Sequence, residues 1–372
     1  MKAELLGRNL ADLRQLVVAW GLEPYRGNQL YHALYAERRF SLAEMTNLPK
    51  PLRQELAGLA SLTLPRIIRR YESRDGTRRY VFSLQAADSP RQEAGRQTVE
   101  SVFMPDTDDA RPFAGRDTLC ISSQAGCAVD CKFCMTATLG LRRNLTAGEI
   151  LGQVLAALAD NQGHLLPQTN IVLMGQGEPL LNYDAVMASV RLFCHPGGLN
   201  LAQRHLTLST SGIVPGIQKM AQETVRPKLA VSLNATTDQT RTRIMPINKK
   251  YPLEQLMEVC RLYPLRSWER LTFEYVLLKD VNDSDDDAHR LRKLVSKIRC
   301  KVNLIPLNPG PAPGALPFEP PAPERVATFQ KILTSRGLLA FLRRPRGQDV
   351  LAACGQLALL EVAKNTSTTS SM

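Results

Sequence analysis

Apolar positions recur at helical spacing near the start of the chain, at Leu5, Leu10, Leu13, Val17 and Val18, and Gly21–Pro24 breaks the pattern. This predicts a first helix, a second near Gly27–Ala36 and a third near Pro51–Gly58. The runs RRYVFSL (78–84) and TVESVFMP (98–105) predict a pair of strands, with a polar stretch through Ala86–Gln97 between them. A second polar stretch, Asp106–Asp117, follows. From Thr118 the pattern changes. Short β-rich runs at 118–123, 170–175, 205–210, 228–233, 272–278 and 301–307 alternate with helical segments. One of these helices opens on a capping box, Thr146 with Glu149. Six strands separated by helices predict parallel β/α units with right-handed connections, curling into a full or partial barrel. The stretch Pro306–Pro323 holds eight prolines and reads as a loop. A helix (324–336), a strand (338–342) and a tail complete the chain, with residues 365–372 expected to be disordered.

The expected class is therefore α/β, a partial six-unit TIM-like β/α barrel with a small helical N-terminal accessory domain. The boundaries are residues 1–75 for the helical domain, 76–117 for a hairpin linker, 118–345 for the barrel and 346–372 for a C-terminal segment.

Composition narrows the function. The chain has 372 residues, 44% apolar and 22% charged, which excludes a collagenous, wholly disordered or disulfide-scaffold protein. Its net charge of +12 points to a polyanionic partner, with nucleic acid ahead of an acidic membrane surface. Residues 1–96 carry 16 basic and 10 acidic side chains, half of that excess. No apolar run reaches the roughly 18 residues that a membrane span needs. The charged N-terminal helix does not read as a signal peptide, so a cytoplasmic setting, reduced cysteines and a monomer are expected.

Of eight cysteines, three form the spacing C-x3-C-x2-C: Cys127, Cys131 and Cys134, in the loop after the first barrel strand. Zinc prefers four ligands, commonly as paired C-x2-C units, so a zinc site would need a distant fourth ligand. A cubane iron–sulfur cluster held by three thiolates leaves one iron open to a small molecule. Active sites of β/α barrels lie at the C-terminal ends of the strands. There this sequence places Gly175, Gly177 and Glu178, then Ser209, then Ser232, Leu233 and Asn234, then Asn308. Small hydroxyls, amides, a carboxylate and glycines suit one small-molecule pocket. Cys120 lies on the first barrel strand, and Cys354 follows the basic run of Arg343, Arg344 and Arg346.

The cysteine spacing, with Phe133 before the third cysteine, resembles the radical S-adenosylmethionine (SAM) superfamily. The segments TLCISSQAGC (118–127), LRRNLTAGEI (141–150), MGQGEPLLN (174–182), LSTSG (208–212), MPINKKYPL (245–253), TFEYVLLKDVND (272–283) and ACGQL around Cys354 are similar to the RlmN/Cfr family of ribosomal and transfer RNA adenine methyltransferases. EMTNLPKPLR (44–53) resembles that family's accessory domain.

The resemblance implies a [4Fe–4S] cluster on Cys127, Cys131 and Cys134, and two SAM molecules per turnover. It implies that Cys354 carries the methyl group, that Cys120 resolves a covalent protein–RNA intermediate through a disulfide, and that Glu100 accepts a proton. Gly177, Glu178, Ser209, Ser232, Leu233, Asn234 and Asn308 would bind SAM, with Glu178 taking its amino group. Asn234 stands where many relatives carry His. The implied substrates are 23S rRNA and tRNA, methylated at adenine C2, with an electron donor such as flavodoxin or ferredoxin. Alternatives are C8 methylation, a radical-SAM enzyme acting on a protein or metabolite, and a non-catalytic RNA-binding metal protein. Arg142, Arg143, Arg343, Arg344 and Arg346 are expected to line the RNA entry.

Overall fold

The computed structural model describes residues 2–84, 97–106, 117–161, 169–311 and 314–358. The polar stretches read at 86–97 and 106–117 lie almost wholly outside these residues, and the tail 365–372 lies outside them entirely.

The N-terminal module is helical. Helix α1 (Leu10–Ala19) starts at Asn9, whose side chain accepts from the Asp12 amide while Asp12 returns a bond to the Asn9 amide. Helices α2 (Tyr25–Tyr35) and α3 (Lys50–Leu59) complete it. Leu13, Val17, Leu30, Tyr31, Leu34 and Leu56 turn inward and are buried. They belong to the same apolar core as Ile150, Val154 and Phe193. The Tyr35 hydroxyl accepts from the Gly7 amide and donates to the Arg8 carbonyl, and Tyr31 meets His195 edge-on at 4.8 Å.

One ten-stranded sheet organises the rest. Its strands are β1 (Arg66–Glu72), β2 (Arg78–Leu84), β3 (Gln97–Met104), β4 (Thr118–Cys120), β5 (Asn170–Leu173), β6 (Leu206–Thr210), β7 (Lys228–Ser232), β8 (Leu271–Leu277), β9 (Cys300–Pro306) and β10 (Ala340–Leu342). They pair in simple sequence order. Strands β1 to β4 are mutually antiparallel, whereas β4 to β10 are all parallel. The connections carry helices, which is what parallel neighbours require. These are α4 (Ala147–Asp160), α5 (Tyr183–Cys194), α6 (Val214–Ala221), α7 (Asp238–Ile244), α8 (Leu253–Leu262), α9 (Asp285–Val295) and α10 (Pro323–Thr334). Thr146 and Glu149 form the expected reciprocal cap on α4.

Strand β1 was not expected from the pattern. Its sequence RIIRRYE lacks clean alternation, and as the edge of the sheet it exposes most of its charged side chains. The register Val102↔Cys120 and Arg79↔Val102 places Tyr71, Arg79, Val81, Glu100, Val102 and Cys120 on one face. The segment 347–358 covers that face, packing Val350, Ala352 and Leu357 on Tyr71, Val81, Val102 and Cys120.

Candidate active site

The C-terminal ends of β5 to β10 open into one cavity. Its walls include Gly175, Gly177 and Glu178 after β5, Ser209 and Ser211 at the end of β6, Ser232 and Asn234 at the end of β7, Glu274 on β8, Asn308 after β9 and Arg343 after β10. Cys127, Cys131 and Cys134 line the same cavity, and so does Cys354. A second cavity is lined by Cys120, Cys134 and Cys354. Residues separated by more than two hundred positions in sequence thus converge on one place.

The docking of Cys354 on the cysteine loop is specific. The Met135 amide donates to the Gly355 carbonyl at 2.8 Å. The Thr136 hydroxyl donates to the Leu357 carbonyl at 2.7 Å, and the Asn308 amide group donates to the Cys354 carbonyl at 3.0 Å. Gln348 in turn donates to Asn308. Gly355 has φ +82, a left-handed conformation that suits glycine and turns the chain directly after Cys354. At the other end, Asp349 accepts from the Arg74 amide and from the Ser73 hydroxyl, and Asp75 accepts from the Gly347 amide. The segment is pinned on both sides with its thiol opening into the cavities. Cys354 is exposed towards these cavities, and the desolvating surroundings of its sulfur, with the Glu274 carboxylate, push its thiol up. Burial does the same to Cys120, which lies near Cys354. All eight cysteines are free thiols, so the implied Cys120–Cys354 disulfide is not formed here.

Glu178 is buried and fixed by backbone. Its carboxylate accepts from the Ser211 amide at 2.6 Å and the Leu180 amide at 3.1 Å. Burial raises its pKa, and those bonds work against the rise. Gly177 has φ +100, and a Cβ there would lie 2.6 Å from the Gln124 Cβ, so only glycine lets this loop close on the cysteine loop. Leu233 keeps its side chain in the apolar core, leaving its backbone as the part available to a ligand at this strand end. Glu100 lines neither cavity and is fully buried, on the same sheet face as Val102 and Cys120.

Three residues were not foreseen. Arg241 is fully buried and donates to the carbonyls of Ser211, Ser232 and Leu233, tying the ends of β6 and β7 together. Burial lowers its pKa to about 10. Glu274 is a buried carboxylate on the cavity wall, held by Asn303 at 2.9 Å. Gln176 bridges the β5 loop to Glu100. No spacing signals them, because each acts through neighbours that only sheet register supplies.

Of the five arginines, Arg143 is locked in a two-point ion pair with Glu149, and Arg346 pairs with Asp75. Arg343 and Arg344 edge the second cavity, and Arg142 is exposed.

The donor chemistry fits a cubane cluster. Cys127, Cys131 and Cys134 all line one cavity. Three sulfurs on one cavity suit a cubane that offers each its own iron and leaves a fourth iron open.

A strand-end pocket of this kind, with three cysteines on the loop after the first parallel strand, defines a radical-SAM enzyme. Residues 121–291 match the model of the Radical SAM superfamily, and residues 3–62 match that of the ribosomal RNA large subunit methyltransferase N-terminal domain. The chain is 47% identical to a probable dual-specificity RNA methyltransferase RlmN of Koribacter versatilis, over 92% of this chain and 98% of that one. It is likewise 47% identical to the dual-specificity RNA methyltransferase RlmN of an Anaeromyxobacter species, over 96% and 91%. A crystal structure of a radical SAM methyltransferase from Sphaerobacter thermophilus superposes with a TM-score of 0.85 at 43% identity, covering 95% of this chain and 99% of that one. The chain belongs to the RlmN family of radical-SAM RNA methyltransferases, which use a [4Fe–4S] cluster and SAM.

Proposed function

We propose that this chain methylates C2 of one adenine in 23S rRNA and of the adenine just 3′ of the anticodon in tRNA, carrying the methyl group on Cys354. Adenine C2 is an electron-poor carbon and does not displace a methyl group from a sulfonium. A thiol does so readily, so the chemistry needs a carrier sulfur. The supporting observation is the shared cavity of Cys127, Cys131, Cys134 and Cys354.

Cys127, Cys131 and Cys134 would hold the cluster, and Glu178, Ser209, Ser232, Asn234 and Asn308 would hold SAM. When bound, these groups supply the methyl group and, in a second round, a one-electron hydrogen abstraction. The chain's own residues do the rest. Cys354 sulfur takes the methyl and loses its proton. The methylene that remains on this sulfur after hydrogen abstraction forms a C–C bond to the base. The adduct gives up one electron to a one-electron acceptor of the flavodoxin or ferredoxin class and its C2 proton to Glu100, which restores the aromatic ring. Cys120 sulfur attacks Cys354 sulfur, an S–S bond forms, the C–S bond breaks, and the exocyclic carbon is protonated to methyl. Arg142, Arg343 and Arg344 approach the RNA backbone. The electron donor is a flavodoxin- or ferredoxin-class protein, and the enzyme works as a monomer in the cytoplasm.

The test is Cys354→Ala in anaerobically reconstituted enzyme. It keeps its iron content and visible spectrum and forms no methylated adenine. Full methyl transfer by this variant contradicts the reading. Nucleoside mass spectrometry of wild-type product detects 2-methyladenosine, and 8-methyladenosine would contradict the assignment to C2.

A further inference from the structure

Glu100 has an unusual setting for a group that must take a proton. It shares the face of Val102 and Cys120 and lies one residue pair along β3 from Val102, which lines the second cavity beside Cys120. That step is about 7 Å. Its carboxylate is fully buried and accepts from Arg79 Nη1 at 3.0 Å. Gln176 donates to the other carboxylate oxygen at 3.3 Å and accepts from the Glu100 amide at 3.3 Å. The Ser122 hydroxyl donates to the Glu100 carbonyl at 2.6 Å and accepts from the Gln176 amide at 2.8 Å.

Arg79 is itself fully buried, with its guanidinium 4.3 Å from the centre of the Tyr71 ring. Burial opposes its charge and Glu100 supports it. A buried ion pair adds little net stability compared with an apolar pair of similar volume. Its effect on a carboxylate is large: a buried carboxyl without a cation takes up a proton near neutral pH and then has no capacity to accept another. Among the described residues, the register gives this face the titratable side chains Arg69 and Tyr71 of β1, Arg79 of β2 and Cys120 of β4, with Arg69 exposed at the sheet edge opposite Val81. From the β4 and β5 loops, Ser122 and Gln176 are uncharged, and the covering segment brings Val350, Ala352 and Leu357 together with the Cys354 thiol, which lies near Cys120. Arg79 is the cation that donates directly to the Glu100 carboxylate.

We propose that Arg79 is a positioning residue for the proton-transfer step, holding the Glu100 carboxylate oriented and charged until the Cys354 segment shifts with its RNA adduct. The inference rests on the reading of Glu100 as proton acceptor. In the step itself the C2–H bond breaks, the electron pair stays on the adduct and the proton joins a Glu100 oxygen.

The test uses full-length, cluster-loaded enzyme and an RNA fragment that it methylates. It follows Cys354 methylation, the covalent protein–RNA adduct on denaturing gels, and RNA release across pH. Glu100→Gln accumulates adduct at every pH. Arg79→Met methylates Cys354 and forms adduct at wild-type levels, but release slows by about tenfold or more near neutrality and recovers as pH rises. Wild-type release and an unchanged pH profile in Arg79→Met overturn the proposal, and so does slow release that no pH restores. If Glu100→Gln leaves no adduct, the acceptor reading itself fails, whatever Arg79 does. Should Arg79→Met not take up iron, Arg79→Lys decides: release within a few-fold of wild type supports the charge role, and a larger loss overturns it.

Discussion

Cys354 is useful only if its backbone presents it. Gly355 gives the turn that does this, and its carbonyl receives the Met135 amide of the cysteine loop. A Cβ on Gly355 meets nothing closer than the Phe133 carbonyl at 3.6 Å, so Gly355→Ala tests conformation rather than crowding. The left-handed backbone costs an alanine about 1–2 kcal/mol. We expect the variant to fold and bind iron, yet to methylate Cys354 slower by an order of magnitude or more, because small misplacements at a reacting atom weigh heavily. A single-turnover assay with labelled SAM reads this, and a wild-type rate would contradict it. At this scale the sequence was informative wherever the chemistry is local. Cys127, Cys131 and Cys134 lie within one loop and announce themselves by spacing. Glu100 and Arg79 do not, since their contact depends on which strand residues face each other.

The elements beneath the site form a strap and its anchors. The turn between β1 and β2 holds the start of the strap through Asp75 and the Gly347 amide. Burial pulls the Asp75 carboxyl up, but hydrogen bonds from Thr77, Gly347 and Ser73 outweigh this and hold it at about 2. A depressed carboxyl stabilises the folded form above its unfolded value near 4 and loses that contribution as pH falls from about 4 to about 2. The anchor should therefore weaken across that window. At neutral pH, Asp75→Asn mimics the loss. Hydrogen exchange at Gly347 and Ala352 is expected to be several-fold faster in the variant, and unchanged protection would contradict the anchoring role. The alternation of β-runs and helices from Thr118 onward made the parallel sheet readable, with strand limits close to those observed. Strand β1 escaped notice because an edge strand needs no buried face, and its role in anchoring the strap was invisible with it.

For the whole molecule, charge and topology act together. The +12 excess favours RNA, and the fold decides which cations are available for it. Arg142 and Arg344 are exposed, Arg344 at the edge of the second cavity, while Arg143 is bound to Glu149. RNA affinity should fall linearly with salt on logarithmic axes. Replacing Arg142 and Arg344 with Ala is expected to reduce that slope by roughly one to two, whereas Arg143→Ala leaves it nearly unchanged. Filter binding across a salt series measures both, and equal effects from all three arginines would contradict the distinction.

The most direct measurement is the mass of the peptide carrying Cys354 after the cluster-loaded protein has been incubated anaerobically with SAM and reductant, without RNA. One added methyl group on Cys354 is the predicted result. An unmodified Cys354 in protein that goes on to form methylated adenine would show that the methyl group never travels through this sulfur.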